Sequence, residues 1–195
     1  MSYGSSSRFT ILTVCTGNIC RSPAAERLFR SAFGTNGDVA VGSAGIGALV
    51  GEPIHGPMAN LLRDIEVDTE DFAARMLTED LVRNADLILG MTREHRAAVV
   101  ELAPAAVKRT FTIREFARLA AEVDRDELEA NAGPDPTPGS RLAALVPLAA
   151  QHRAAVEAEL DDVVDPFRRR DKVYRQSFDQ ILPTARTIAR IALNL

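Results

Sequence analysis

Tryptophan is absent from this chain, tyrosine occurs twice, and aromatic residues together make up 5% of it. A site that must stack on a flat ligand therefore has few candidates, chiefly phenylalanine. Cysteine also occurs only twice, as Cys15 and Cys20. That excludes a disulfide framework and points to a reducing compartment, the cytoplasm being the simplest. The three histidines, His55, His95 and His152, are scattered, and with two cysteines they do not readily supply a tetrahedral zinc set, so no metal is expected. No apolar run approaches the roughly 18 residues of a membrane-crossing helix, and no membrane insertion is expected. Residues 1–8 are rich in glycine and serine and lack the apolar stretch of a secretory signal; they read as a short disordered lead-in. Positive charge is not in excess either. Lys and Arg total 23 against 27 Asp and Glu, a formal net charge of −4, which speaks against nucleic acid as a partner.

What remains is an ordinary globular balance, 46% hydrophobic and 26% charged over 195 residues. It suffices for one core, read as a single domain over residues 9–195. Phe9-Thr-Ile-Leu-Thr-Val14 is apolar or β-branched at nearly every position, which predicts a strand buried on both faces, as in a parallel sheet. Further strands are expected at 39–44, 86–91 and 107–111. Between them, helices are expected at 24–32, 58–65, 79–84 and 93–102, with Thr78 and Thr92 as caps of the last two. Pro23 is read as the first helical residue, after a capping hydroxyl. Strands alternating with helices imply a parallel sheet covered on both faces, with ligands gathering at the carboxyl ends of the strands.

The stretch 113–163 is read as a mostly helical insertion at the sheet's edge. It has helical spacing at Ile113, Phe116, Ala120 and Val123, a turn-rich break at 131–140, and a helix over 141–160 interrupted at Pro147. Phe178, Ile181, Leu182, Ala185, Ile188, Ala189 and Ala192 then mark a final amphipathic helix, kinked at Pro183.

The chemistry concentrates in Cys15-Thr-Gly-Asn-Ile-Cys-Arg-Ser22, where the first strand ends and a helix begins. Loop N–H groups and the positive end of the helix make a site for an anion, and the same field favours a cysteine thiolate. Arg21 can return across the loop and grip two phosphate oxygens through its planar fork. Gly17 is expected to let the backbone curl, Asn18 to accept a left-handed conformation, and Ser22 to offer its hydroxyl to the sulfur. A buried strand-end thiol with an unrelated surface arginine is the competing reading. The intervening glycine, asparagine, serine and proline weigh against it.

Val14 to Pro23, with Ala25 and Glu26, closely resembles the low-molecular-weight protein tyrosine phosphatases. Ser43-Ala-Gly45, Ala85-Asp-Leu-Ile-Leu89 with Met91 and Arg93-Glu-His95, and Asp165-Pro-Phe167 resemble later markers of that family. The resemblance covers most of 9–111 and then 165 to the end. It implies an α/β fold, a flavodoxin-like three-layer sandwich with a four-stranded parallel sheet. It also implies hydrolysis of phosphate monoesters, phosphotyrosine in proteins above all, through a phosphocysteine on Cys15. Arg21 would clamp the phosphate, Asp165 would act as general acid and base, and Thr16, Gly17, Asn18, Ile19, Cys20 and Ser22 would complete the loop, with Ser43 in support. Without the resemblance, Asp165 reads as a turn aspartate before proline. Cys20 is either a small buried residue or, as in the family, a reversible disulfide partner of Cys15.

Family members wall the site with aromatic residues. Here that wall falls to Leu49 and Phe167, and Ile19 is similar to the tyrosine-directed members, whereas threonine marks arginine-phosphate-directed ones. His55 is read as a surface residue, and Arg168-Arg-Arg-Asp-Lys172 as a solvated face or a means of steering acidic substrates. No cofactor is expected. An arsenate reductase of the same fold would need further cysteines to carry a disulfide outward. A silent phosphate-binding module would not need Cys15, Arg21 and Asp165 all intact. Both remain open, as do the oligomeric state and the role of 113–163.

Overall fold

The computed structural model describes residues 8–35, 37–154 and 156–195. The expected lead-in lies outside the described residues except for Arg8, whose guanidinium donates to the carbonyls of Thr35 and Val39.

Among the described residues four strands, β1 (Phe9–Cys15), β2 (Val39–Gly45), β3 (Leu87–Gly90) and β4 (Thr110–Thr112), form one sheet in the order β2-β1-β3-β4. All pairings are parallel, with Cys15 opposite Gly45 and Val14 opposite Gly90. The central β1 alternates its burial between two cores. Ile11 joins the layer that contains α1 (Arg21–Phe33), α2 (Gly56–Arg63) and α9 (Asp171–Leu193). Leu12 and Val14 face the layer of α3 (Glu79–Arg83) and α4 (Arg93–Leu102). Burial on both faces is why the strand reads as continuously apolar. The result is a three-layer α/β sandwich.

Thr78 and Thr92 cap α3 and α4 through their side-chain oxygens, as their positions predict. Elsewhere the local signals misplace boundaries. α1 starts at Arg21, so Pro23 is its third residue, and its first turn has no side-chain cap. Ser22, free of capping, turns its hydroxyl to the sulfur of Cys15 instead. The stretch expected as the fourth strand begins as a 3-10 helix, Pro104–Arg109, and pairing starts only at Thr110. Pro104 at its start favours that turn, and Val107 faces solvent.

The segment 113–163 contains α5 (Ile113–Ala120), α6 (Arg125–Ala132), α7 (Pro138–Gln151) and α8 (Ala158–Asp161). It does not sit at the sheet's edge. Ile113, Phe116, Leu142 and Leu145 are fully buried in the same core as Ile11, Leu89 and Ile181, and α5 packs along α9. α7 runs through Pro147 without a break. The proline lies on the solvent side, while Val146 and Leu148 beside it anchor the turn in the core. Tertiary burial thus outweighs the missing backbone donor. α6 has no counterpart in the sequence reading, because only Leu128 of its residues is buried and the apolar period is too weak to see.

Candidate active site

β1 delivers Cys15 to the carboxyl end of the sheet, and residues 16–20 curl from it into α1. The carbonyls of Cys15, Thr16, Gly17 and Ile19 accept from the backbone N–H groups of Ile46, Gly47, Leu49 and His55, at 2.8–3.0 Å. In a trans peptide the N–H of the next residue points opposite to the carbonyl. Tying these carbonyls outward therefore turns the N–H groups of Thr16, Gly17, Asn18 and Cys20 to the concave side. Among the described residues, none of the N–H groups of residues 16–20 has a protein acceptor. Together with the N-terminus of α1, they form a nest of donors suited to an anion.

The curl is made at Asn18, whose φ of 53° is left-handed; Gly17 is not in that region, and a Cβ there would make only an ordinary contact with Ile19. The glycine that the loop needs is Gly45, at the end of β2, where a Cβ would collide with the carbonyl oxygen of Thr16. Asn18 is held from all sides. Its Nδ2 donates to the hydroxyls of Ser22 and Ser43, at 2.9 and 2.8 Å, and its Oδ1 accepts the N–H of Arg75. Ser43 in turn donates its O–H to the carboxylate of the buried Glu26, at 2.6 Å. Ser22 already accepts from Asn18, so its own O–H is left for the sulfur of Cys15, 2.9 Å away, in preference to the carbonyl of Ala44 at 3.5 Å.

Arg21 is buried at the start of α1. One end of its guanidinium donates to the carbonyl of Val163 and the other meets Asp165 Oδ2 at 2.9 Å. Asp165 comes from 144 positions further along the chain and is half exposed, and its Oδ1 accepts the N–H of Phe167. The loop that carries it is fastened at several points. Val163 N–H donates to Met91 O, and Val164 N–H to Gln180 Oε1. The buried Asp161 pairs with Arg93 and Arg118, at 2.9 and 3.1 Å. Arg114 of α5 donates to the carbonyls of Glu159 and Asp162. One role of 113–163 is thus to hold this loop over the cleft.

A cleft of about 140 Å³ is lined by Cys15, Thr16, Gly17, Ile19, Cys20, Arg21, Gly47, Leu49, Asp165 and Phe167. The structure therefore brings the expected loop, the arginine, the distant aspartate and both wall residues to one place. Asn18, Ser22 and Ser43 lie behind it as the loop's support. Among the described residues no group of side chains is arranged to hold a metal ion, and no helix is long and apolar enough to cross a membrane.

Three further residues shape the site, and sequence reasoning missed or misread them. His95 is buried, with Thr16 Oγ1 at its Nε2 (3.0 Å) and Thr92 Oγ1 at its Nδ1 (2.7 Å). Burial, aided by the nearby charge of Arg21, lowers its pKa to about 4, so it is a neutral ring that steadies the loop. Its signal is a capping threonine three residues earlier, which fixes the backbone but says nothing about Thr16. His55 is not a surface residue. It stacks on Tyr174 at 5.6 Å, meets the edge of Phe167 at 5.7 Å, and bonds the Tyr174 hydroxyl at 3.0 Å. Burial, with the Cys20 thiol alongside, pushes Tyr174 up to about 12, so that hydroxyl keeps its proton. Burial also pushes the Cys20 thiol up to about 12, and the neighbouring Cys15 and Asp165 add to the rise. No signal in the sequence predicts the Tyr174–His55 contact, which spans 119 positions.

The family model for low molecular weight phosphotyrosine protein phosphatases matches residues 10–143. Low molecular weight protein-tyrosine-phosphatase Etp of Escherichia coli K12 is 46% identical over 95 residues, 49% of this chain and 62% of that protein. Wzb of Salmonella typhimurium is 42% identical over 94 residues, 48% and 61% of the two chains. The matched region thus spans about three fifths of these relatives' length. Among solved structures, Vibrio vulnificus Wzb in complex with benzylphosphonate superposes with a TM-score of 0.66 at 25% identity, covering 93% of this chain and 97% of that one. The YwlE arginine phosphatase from Geobacillus stearothermophilus superposes at 0.65, also with 25% identity, over 93% and 91%. The loop, the fold and the matched span agree, and the chain belongs to the low molecular weight phosphotyrosine protein phosphatase family.

Proposed function

We propose that the chain is a phosphatase that hydrolyses phosphotyrosine in proteins through a phosphocysteine on Cys15. One observation carries the proposal: Asp165 and Arg21 meet at 2.9 Å over the cleft that Cys15 lines. The phosphoryl oxygens would lie on the loop N–H groups and on the fork of Arg21, which turns from Asp165 to the phosphate. Cys15 attacks phosphorus in line with the ester oxygen, the P–O bond breaks, and Asp165 gives that oxygen its proton. In the second step Asp165 takes a proton from water, the water oxygen attacks phosphorus, and the P–S bond breaks. The Ser22 hydroxyl donates to the departing sulfur. Arg21 and the amides supply the charge stabilisation that a metal clamp supplies elsewhere, so the mechanism calls for no cofactor.

Leu49 and Phe167 would flank the aryl ring, and Ile19 in the loop favours phosphotyrosine over phosphoarginine. A reducing cytoplasm is the matching location, and Cys20 is the candidate for a protective disulfide with Cys15. If so, thiol would restore peroxide-inactivated enzyme but not its Cys20→Ala variant. Hydrolysis of para-nitrophenyl phosphate tests the main reading. We expect turnover that vanishes in Cys15→Ser and falls by roughly 10²–10⁴-fold in Asp165→Asn. Phosphate binding without turnover in the unaltered protein would favour a silent module.

A further inference from the structure

The rim of the cleft has two features that the chemistry of Cys15, Arg21 and Asp165 does not use. Beside Asp165 and Phe167, the segment 168–175 holds Arg168, Arg169, Arg170, Lys172 and Arg175 against a single acid, Asp171, in a chain whose net charge is −4. All five cations are exposed, and among the described residues none forms an ion pair. This differs from Arg93, Arg96, Arg118 and Arg141, each of which engages a carboxylate. Arg168 lies 5.1 Å over the ring of Phe167, which brings the basic strip to the mouth of the cleft. From a separate segment, Leu49 lines the cleft, and Ile46, Val50 and Met76 beside it are exposed, as is Leu49 itself. Their loops adjoin, since Gly45 bridges Met76. Exposed apolar side chains gathered beside a site mark a contact surface more often than scattered ones do. Unpaired cations at a cleft raise the local concentration of anionic partners.

We propose that this rim selects a phosphotyrosine polypeptide with acidic residues on one side of the phosphotyrosine and an aliphatic residue on the other. The basic strip takes the acidic flank and the 46–50 loop, with Met76, takes the aliphatic one. This rests on the phosphatase reading above and adds which substrates it prefers. The two flanks are opposite in character, and a cleft of about 140 Å³ admits one aryl phosphate. That combination fits a peptide running across the mouth better than a nucleic acid, whose charge is uniform.

The test compares kcat/KM of the full chain on three phosphotyrosine peptides of equal length. Each carries leucine on one flank; on the other flank one has glutamates, one has alanines and one has lysines. The acidic peptide is expected to exceed the alanine peptide by about 10-fold at low ionic strength, through KM, and to lose most of that gain in high salt. The doubly substituted Arg169→Glu, Lys172→Glu protein should prefer the lysine peptide, and the milder Arg169→Gln, Lys172→Gln protein should show no preference. Val50→Ser should lower kcat/KM on all three leucine-bearing peptides by about 3-fold, with para-nitrophenyl phosphate turnover unchanged. Equal rates on all three peptides, a glutamate gain that survives charge reversal, or inhibition by an oligonucleotide as strong as by the acidic peptide would overturn the proposal. Turnover of para-nitrophenyl phosphate by the unaltered chain keeps the two readings apart. If it is hydrolysed without any peptide preference, the docking proposal alone fails; if it is not hydrolysed, the phosphatase reading fails as well.

Discussion

Burial lifts the Cys20 thiol to about 12, so near neutral pH it stays protonated and is a poor nucleophile. Cys15, five positions earlier, faces the donor nest and the Ser22 hydroxyl. Cys20→Ser should therefore keep turnover of an aryl phosphate within about 3-fold, with Cys15→Ser inactive. A steady-state assay checks both, and an inactive Cys20→Ser protein that is folded would reverse the assignment. At this scale the loop was legible in the sequence because its chemistry is contiguous: donors, arginine and sulfur all lie within Cys15–Ser22. Asp165 was visible only through resemblance, since Asp-Pro pairs are common turns. His95, Glu26 and Tyr174 were not identifiable as site residues. Each acts through a partner distant in sequence, Thr16, Ser43 and His55, and a buried polar residue leaves no periodic trace.

Elements position these residues, and the loop of Asp165 depends on α5 and α8. Asp161 is buried between Arg93 and Arg118, and removing it strands two cations and loosens the chain four residues before Asp165. Asp161→Ala should cost roughly 2–4 kcal/mol in urea unfolding and lower kcat by roughly 10–100-fold through misplacement of the acid. Unchanged kcat in a destabilised protein would show that the loop does not depend on this anchor. The first three strands and the caps Thr78 and Thr92 were legible because period and capping chemistry are local. The start of α1, the course of α7 through Pro147 and the existence of α6 were not. Each is decided by what the segment packs against, and the sequence holds that information only in distant parts.

For the molecule as a whole, His95 couples the site to stability. Its folded pKa of about 4 lies below the ordinary 6.5, so between these values the unfolded chain takes up a proton that the folded protein refuses. Stability should be full above pH 6.5 and fall, by up to ~3 kcal/mol, as the pH drops toward 4. Unfolding curves at several pH values on the unaltered protein and on His95→Gln check this. The variant should lose that part of the slope, and equal slopes would contradict it. The parallel sheet and its two covering layers were legible from continuous apolar strands alternating with helices. That α5 and α7 share the main core was not, because a helical pattern reveals an apolar face and not the surface it will meet.

In the proposed reaction the sulfur of Cys15 is the atom that receives phosphate. Acid quenching during turnover of an aryl phosphate by the Asp165→Asn protein, followed by mass spectrometry of its peptides, reads this directly. One phosphoryl group on the peptide containing Cys15, chased off by longer incubation, is the predicted result. Turnover with that peptide unmodified at every time point, or with the label on another residue, would contradict it.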